Sequence, residues 1–330
     1  VFLILTHLFS VLLNIGSILI NLHLMESSNV RSKRLIANAL NRGYTTITVW
    51  SPYLGVMVLV VSQLKIEWFT LVSYTVGFVL LSLIIAVLVE VNVIRHEEIH
   101  LNKLSNDSSD FEEIIEGKLL KIVELFVLLV FSMGLILIID KFTNISIVLA
   151  IAFVSLLFPL IWCLLKGIIR RYKNEVIMHA TKTLPNLKTE FTLFLVAGIF
   201  SYAFVQSPLN EKSTELLNLF FGQSSLLMAI ALSSVIILTG ILGLHPVVML
   251  TIFATSIDPE QIGLSSLYFA ALLLGSAGIA NTISPATAVN NLVSNTLGVE
   301  IFTVSFKWNW IYALILFIAL PVYLLVVGCR

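Results

Sequence analysis

The chain has 330 residues, 58% of them hydrophobic and 12% charged, with basic and acidic side chains equal in number. A water-soluble domain carries about 25% charged residues, so this composition cannot clothe a soluble surface, and a mean hydropathy of +1.02 points to a polytopic membrane protein. Zero net charge offers nucleic acid no electrostatic footprint, and Cys163 and Cys329 read as small hydrophobes in or beside apolar runs.

About 20 apolar residues are needed to cross ~30 Å of hydrocarbon as a helix. Charge-free runs of that order cover 1–25, 43–64, 68–89, 125–139, 142–165, 191–210, 216–257, 261–299 and 308–329, and Leu119, Leu120, Ile122 and Val123 extend the shortest. The opening "VFLILTHLFS" has neither the basic segment nor the cleavage site of a signal peptide. Lys and Arg collect in cytoplasmic loops. The clusters "RSKR" (31–34) with Arg42, the loop 92–118 with Lys121, and "KGIIRRYK" (166–173) all fall on one side if 43–64 exits, 68–89 returns, and 119–139 pairs with 145–165. Residues 174–188 then read as an interfacial helix, and 191–209 exits. The segment 224–257 starts and ends outside, so it is expected to be a re-entrant hairpin turning at "GLHP" (243–246). The span 264–296 runs inward and 309–327 exits.

Two of these spans share a feature. "WSPYLGVMV" (50–58) and "ISPATAVNN" (283–291) both place Ser-Pro inside a charge-free run, and a histidine lies upstream of each, His7 and His245. By the sidedness above the two copies run in opposite directions. Matching Pro-interrupted segments in inverted halves point to a secondary transporter's binding site. Proline removes a backbone donor and blocks the carbonyl four residues back. Such a break survives in hydrocarbon only beside a cavity or other protein. Asn281, Thr282, Ser284, Thr287, Asn290 and Asn291 surround the second break and Thr46, Thr48 and Ser51 the first. These neutral groups are expected to bind the solute or ion, with the second break contributing more. His7 and His245 join them as ionisable groups inside apolar runs.

This arrangement resembles the ion transporter superfamily, in particular the divalent-anion/sodium symporters and their arsenite, citrate and antiporter relatives. "TISPATAVNN" stands where that family carries a Thr-Pro-Pro-Asn loop and "TVWSPYLGV" where its first copy does. The resemblance implies an all-α fold of inverted repeats with re-entrant hairpins and two Pro-broken helices. Residues 1–62 would be the remainder of the first repeat (a hairpin arm plus the broken helix), 63–190 scaffold helices with cytoplasmic and interfacial segments, and 191–330 the second repeat. It also implies that the helix pair 119–165 mediates a homodimer, and that a first hairpin arm and scaffold helices precede "THLFS". The family's hairpin-tip Ser-Asn-Thr is replaced by "THLFS" and "GLHPV", so its sodium and carboxylate ligands there do not carry over.

One motif points elsewhere. "RHEEIH" (95–100) contains His96-Glu97-x-x-His100, the spacing that sets two imidazoles on one helix face with a glutamate as base, and Glu112, Glu113 or Glu116 would have to supply a third zinc ligand. The expected function is secondary transport of a small solute, an organic or inorganic anion by preference, coupled to Na+ or H+ by alternating access in the plasma membrane. The bilayer and the solute would be its partners, with no resident cofactor. A membrane-embedded zinc metalloprotease is the alternative, and a channel or non-transporting scaffold a third reading.

Overall fold

The computed structural model describes residues 1–328 apart from 28, 29, 31, 105–123, 125, 126, 129, 140, 144, 146, 187, 222 and 223. Among the described residues the chain is helical throughout, with no strand. Three helical stretches among the described residues, Trp68–Val91, Ser266–Leu297 and Trp310–Val327, are long and apolar enough to cross a membrane, and several shorter apolar helices accompany them. The chain divides into two compact units, Val1–Lys103 with Phe194–Arg330, and Leu104–Leu193.

The first unit opens with α1 (Phe2–Leu13) and α2 (Gly16–Ser27). The run 1–25, apolar enough to read as one span, is divided at Asn14, whose φ of 50° ends α1. Ser10 and Ser17 hydrogen-bond across this turn at 2.6 Å, and Tyr44 donates to Asn14 Oδ1 at 2.6 Å. Next come α3 (Lys33–Thr45), a 3-10 turn (Thr46–Val49), α4 (Gly55–Leu64) and α5 (Trp68–Leu104). Residues from 194 onward return to this unit. Before them the chain forms α6 (Val130–Ile139), α7 (Ile147–Leu165), α8 (Ile169–Met178) and α9 (Leu184–Asn186) in the second unit. Here α10 is Lys188–Val205, whose first residues belong to that second unit, and α11 is Pro208–Phe221. The order then recurs as α12 (Ser225–Ile241), α13 (Pro246–Ser256), α14 (Ser266–Ile283), α15 (Ala288–Leu297) and α16 (Trp310–Val327).

Across the two broken helices, 32–66 and 265–299, the recurrence keeps a fixed spacing of 233 residues. Ser32 caps α3 by accepting from the Leu35 N–H, and Ser265 caps α14 by accepting from the Tyr268 N–H. Gly55–Leu64 corresponds residue for residue to Ala288–Leu297. Each of those helices ends on a left-handed residue, Lys65 and Gly298, and closes with the same bond, Ile66 N–H to Val61 O and Val299 N–H to Ser294 O. Between 32–66 and 265–299 no residue is inserted or lost, and 9 of the 35 pairs are identical, a low figure for so close a match of boundaries. Capping serines, Ser-Pro pairs and left-handed ends set where helices start and stop, so the lining side chains are free to differ.

Packing follows the same scheme. Ile18, Leu22 and Met25 of α2 join Ile36, Ala37 and Leu40 of α3 and Val289, Val293 and Leu297 of α15 in one buried cluster. In the other half α13 packs on α4 and α14. The helix α14 is buried on nearly every face, and its Ala and Gly residues let neighbouring backbones come close.

Candidate functional site

Both Ser-Pro breaks are built the same way. Ser51 Oγ accepts from the Tyr53 N–H at 3.4 Å, and Ser284 Oγ accepts from the Ala286 N–H at 3.2 Å. In each case the serine bridges its proline and satisfies a donor that the interrupted helix cannot. Both serines are fully buried.

The segments leading into the two breaks cross each other along a polar seam. Asn41, Thr45 and Thr48 share one face of α3 and its 3-10 extension. Thr45 and Thr282 hydroxyls meet at 2.8 Å, Asn281 Nδ2 donates to Thr48 Oγ1 at 3.4 Å, and Asn41 Nδ2 donates to the Thr282 carbonyl at 2.9 Å. The crossing is close because Gly278 has no side chain. A Cβ there would lie 3.1 Å from Val49 Cγ2 and 3.5 Å from the Thr45 carbonyl oxygen. These contacts exchange under the 233-residue spacing. Thr45 with Thr282 becomes Gly278 with Val49, and Thr48 with Asn281 is its own image.

The carbonyl side of the second break is occupied from within. Asn290 Nδ2 donates to the carbonyls of Asn281, Thr282 and Ser284 at 3.2, 3.2 and 2.8 Å, and its own Oδ1 accepts from Asn41. Thr287 Oγ1 reaches the Asn281 and Ser284 carbonyls at 3.4 and 3.2 Å, while Asn291 Nδ2 donates to Pro285 and Thr287. Asn290 is fully buried and Asn291 is exposed. The amine side differs. Neither α4, preceded by Leu54, nor α15, preceded by Thr287, has a side-chain cap, and Gly55 and Ala288 at their starts are exposed. Asn281 Oδ1 is buried and makes no hydrogen bond within the protein.

The two histidines do not occupy matching places, although His7 precedes Ser51 by 44 residues and His245 precedes Ser284 by 39. His245 sits at the turn between α12 and α13, where its Nδ1 accepts from the Val247 N–H at 3.3 Å. His7 lies in the middle of α1 and braces the first break. The Trp50 indole can only donate, so its 3.2 Å bond makes His7 Nε2 the acceptor. Nδ1 therefore carries the proton and donates to Thr46 Oγ1 at 2.8 Å and the Gly43 carbonyl at 3.2 Å. Trp68 extends this chain by donating to the Trp50 carbonyl at 2.9 Å. Thr46 thus faces His7 and not the seam.

Residues outside the sequence expectation hold α3 in place. Arg42, 1% exposed, donates from Nε to Asn309 Oδ1 at 2.8 Å, from Nη1 to the Ala86 carbonyl at 3.0 Å, and from Nη2 to Glu90 Oε1 at 3.0 Å and the Trp308 carbonyl at 3.1 Å. Its guanidinium also lies 4.6 Å from the centre of the Tyr312 ring. Glu90 Oε1 further accepts from Arg34 and Asn38, both at 2.9 Å. The periodicity of Asn38, Asn41, Arg42 and Thr45 along α3 is the signal that could have marked them. His96, Glu97 and His100 lie on α5, but their side chains, like Glu112, Glu113 and Glu116, are outside the described residues. No protein-family model, curated protein or solved structure matches the chain.

Proposed function

We propose that the chain is a secondary transporter of a small anionic solute, coupled to Na+ or H+ and working by alternating access, with the two Ser-Pro breaks as its binding site. The exchange of contacts at the seam carries this reading. Copies related by a two-fold axis must repeat every contact between them with roles swapped, as Thr45–Thr282 and Val49–Gly278 do. The distribution of Lys and Arg sends the first break outward and the second inward, which supports an axis in the membrane plane and an inverted-repeat carrier. On this reading α1–α2 and α12–α13 are the re-entrant hairpins.

The chemistry of the breaks favours an anion. Carbonyls of α14 already accept from Asn41, Thr287 and Asn290, whereas the first-turn N–H groups of α4 and α15 carry no side-chain cap. Helix N-termini hold positive partial charge, so these ends attract a solute's acceptor atoms. No cationic side chain lies between Gln261 and Val299, so dipoles and amides would do the holding.

Thermal unfolding of the full chain with succinate, citrate, sulfate or phosphate, each with and without Na+ and at two pH values, tests the reading. One anion is expected to raise the midpoint in a cation- or pH-dependent way, since a bound ligand stabilises the folded state by mass action, and uptake of that anion into proteoliposomes should follow. Cysteines placed at Asn14 and Gly243 should be labelled from opposite faces. Labelling from one face, with no response to any anion, would overturn it.

A further inference from the structure

We propose that the second unit carries a binding site for an anionic phospholipid of the surrounding bilayer, with an acyl chain in the groove between α6 and α7 and the headgroup at the basic turn that follows. A cavity of about 680 Å³ runs between these helices, lined by Phe131, Leu135, Phe158, Ile161 and Trp162 with no polar surface along its length. It is open at the side, since Phe131 and Ile161 are more than half exposed. Its volume falls within the range of about 300–1,000 Å³ typical of small-ligand sites.

One end of the groove is charged. Lys166 pairs with Glu124 at 3.2 Å and lies 4.9 Å from the centre of the Trp162 ring, which places an ammonium group at the mouth of the apolar channel. That pair is half exposed on both sides, so it is weak and exchangeable. Just beyond it Gly167, with φ +69°, ends α7 and turns the chain into α8. Tyr172 then donates to the Leu156 carbonyl at 2.9 Å, which folds α8 back against α7. The turn is followed by Arg170, Arg171 and Lys173, all exposed and within seven residues of Lys166.

Charge complementarity decides the occupant. Four cations within eight residues, against Glu124 and Glu175, would repel the same surface of a second copy and attract an anionic headgroup. A hydrocarbon chain fills the neighbouring groove without leaving a polar atom unpaired, and a soluble anion would leave that groove empty.

The test uses the full chain in phosphatidylcholine bilayers containing a brominated-acyl lipid that quenches nearby tryptophan. Trp162 emission is taken as the difference between the wild type and Trp162→Phe. Brominated phosphatidylglycerol should quench it at lower mole fraction than brominated phosphatidylcholine. Each of Arg170→Gln and Arg171→Gln should lower that preference about fivefold, and neither side chain is buried, so folding is unaffected. Equal quenching by both lipids, or a preference unchanged in the double variant, overturns the site. So does efficient disulfide dimerisation of Phe131→Cys in a Cys163→Ser, Cys329→Ser background, because a second copy would then occupy the groove.

Discussion

Asn281 donates from its side-chain amide to the hydroxyl of Thr48 at 3.4 Å, and the two residues are each other's counterparts across the 233-residue spacing. On the proposed inverted-repeat reading, such a self-paired contact lies on the axis that relates the two copies. The seam is therefore the place where a change on one copy is felt by the other, and the predictions below start from it.

Gly278→Val should push α14 away from α3, because its added side chain meets Val49 Cγ2. Overpacking of this kind costs about 1–3 kcal/mol. Val49→Ala opens the same space from the other side, so the double variant should unfold at a higher temperature than Gly278→Val alone. If the two effects simply add, the crossing is looser than the contact distances indicate.

Asn290→Ala should destabilise the protein more than Asn291→Ala. The first removes one donor from each of three carbonyls, which keep only Asn41 or Thr287 as partners, at ~0.5–1.5 kcal/mol per lost bond. The second changes an exposed amide and should stay within ~0.5 kcal/mol. Asn290→Asp should be worse than either, since it turns an acceptor toward the carbonyls. Thermal unfolding of the three variants gives the ranking, and equal midpoints for Asn290→Asp and wild type would remove Asn290 from its bracing role.

Glu90→Gln should lower stability by ~3–5 kcal/mol, because it leaves the buried Arg42 guanidinium uncompensated. Replacing both partners by apolar residues, as in Arg42→Met with Glu90→Leu, should recover part of that loss. Unfolding in denaturant is the measurement, and a double variant less stable than Glu90→Gln would contradict the account.

His7→Phe and Trp50→Phe each break the same hydrogen bond, so their effects should not add. Each is expected to cost ~0.5–1.5 kcal/mol for that bond, with His7→Phe also removing the imidazole donor to Thr46 Oγ1 and the Gly43 carbonyl. A double variant whose loss equals the sum of the singles would show that the indole and imidazole act independently.

Much of this fold is legible in the sequence, and the reasons differ by residue. Ser51-Pro52 and Ser284-Pro285 announce their breaks because proline cannot join a helix ladder whatever surrounds it. The turn at Asn14 is hidden, since "LLNIGS" lies in an unbroken apolar run and only a left-handed backbone at one asparagine divides it. The polar groups of the second break were visible as a cluster, yet composition does not tell a solute ligand from a brace. Asn290 is directed inward to three carbonyls, while Asn291, its neighbour, faces out. Arg42 reads as a cytoplasmic loop charge until α5 and α16 are seen to close around it. Its partner Glu90 lies 48 residues away and leaves no local trace.

The two broken helices agree in spacing far more than in chemistry, and this sets a constraint on length. One residue added between Ser284 and Gly298 would rotate everything downstream by about 100° about the helix axis. Val293 and Leu297 would leave the cluster they share with α2, and Gly298 would lose the position where its left-handed turn closes α15. A substitution at the same site changes one contact, whereas an insertion changes the phase of a whole face. Segments 51–65 and 284–298 should therefore tolerate exchange of many side chains and reject any difference in count.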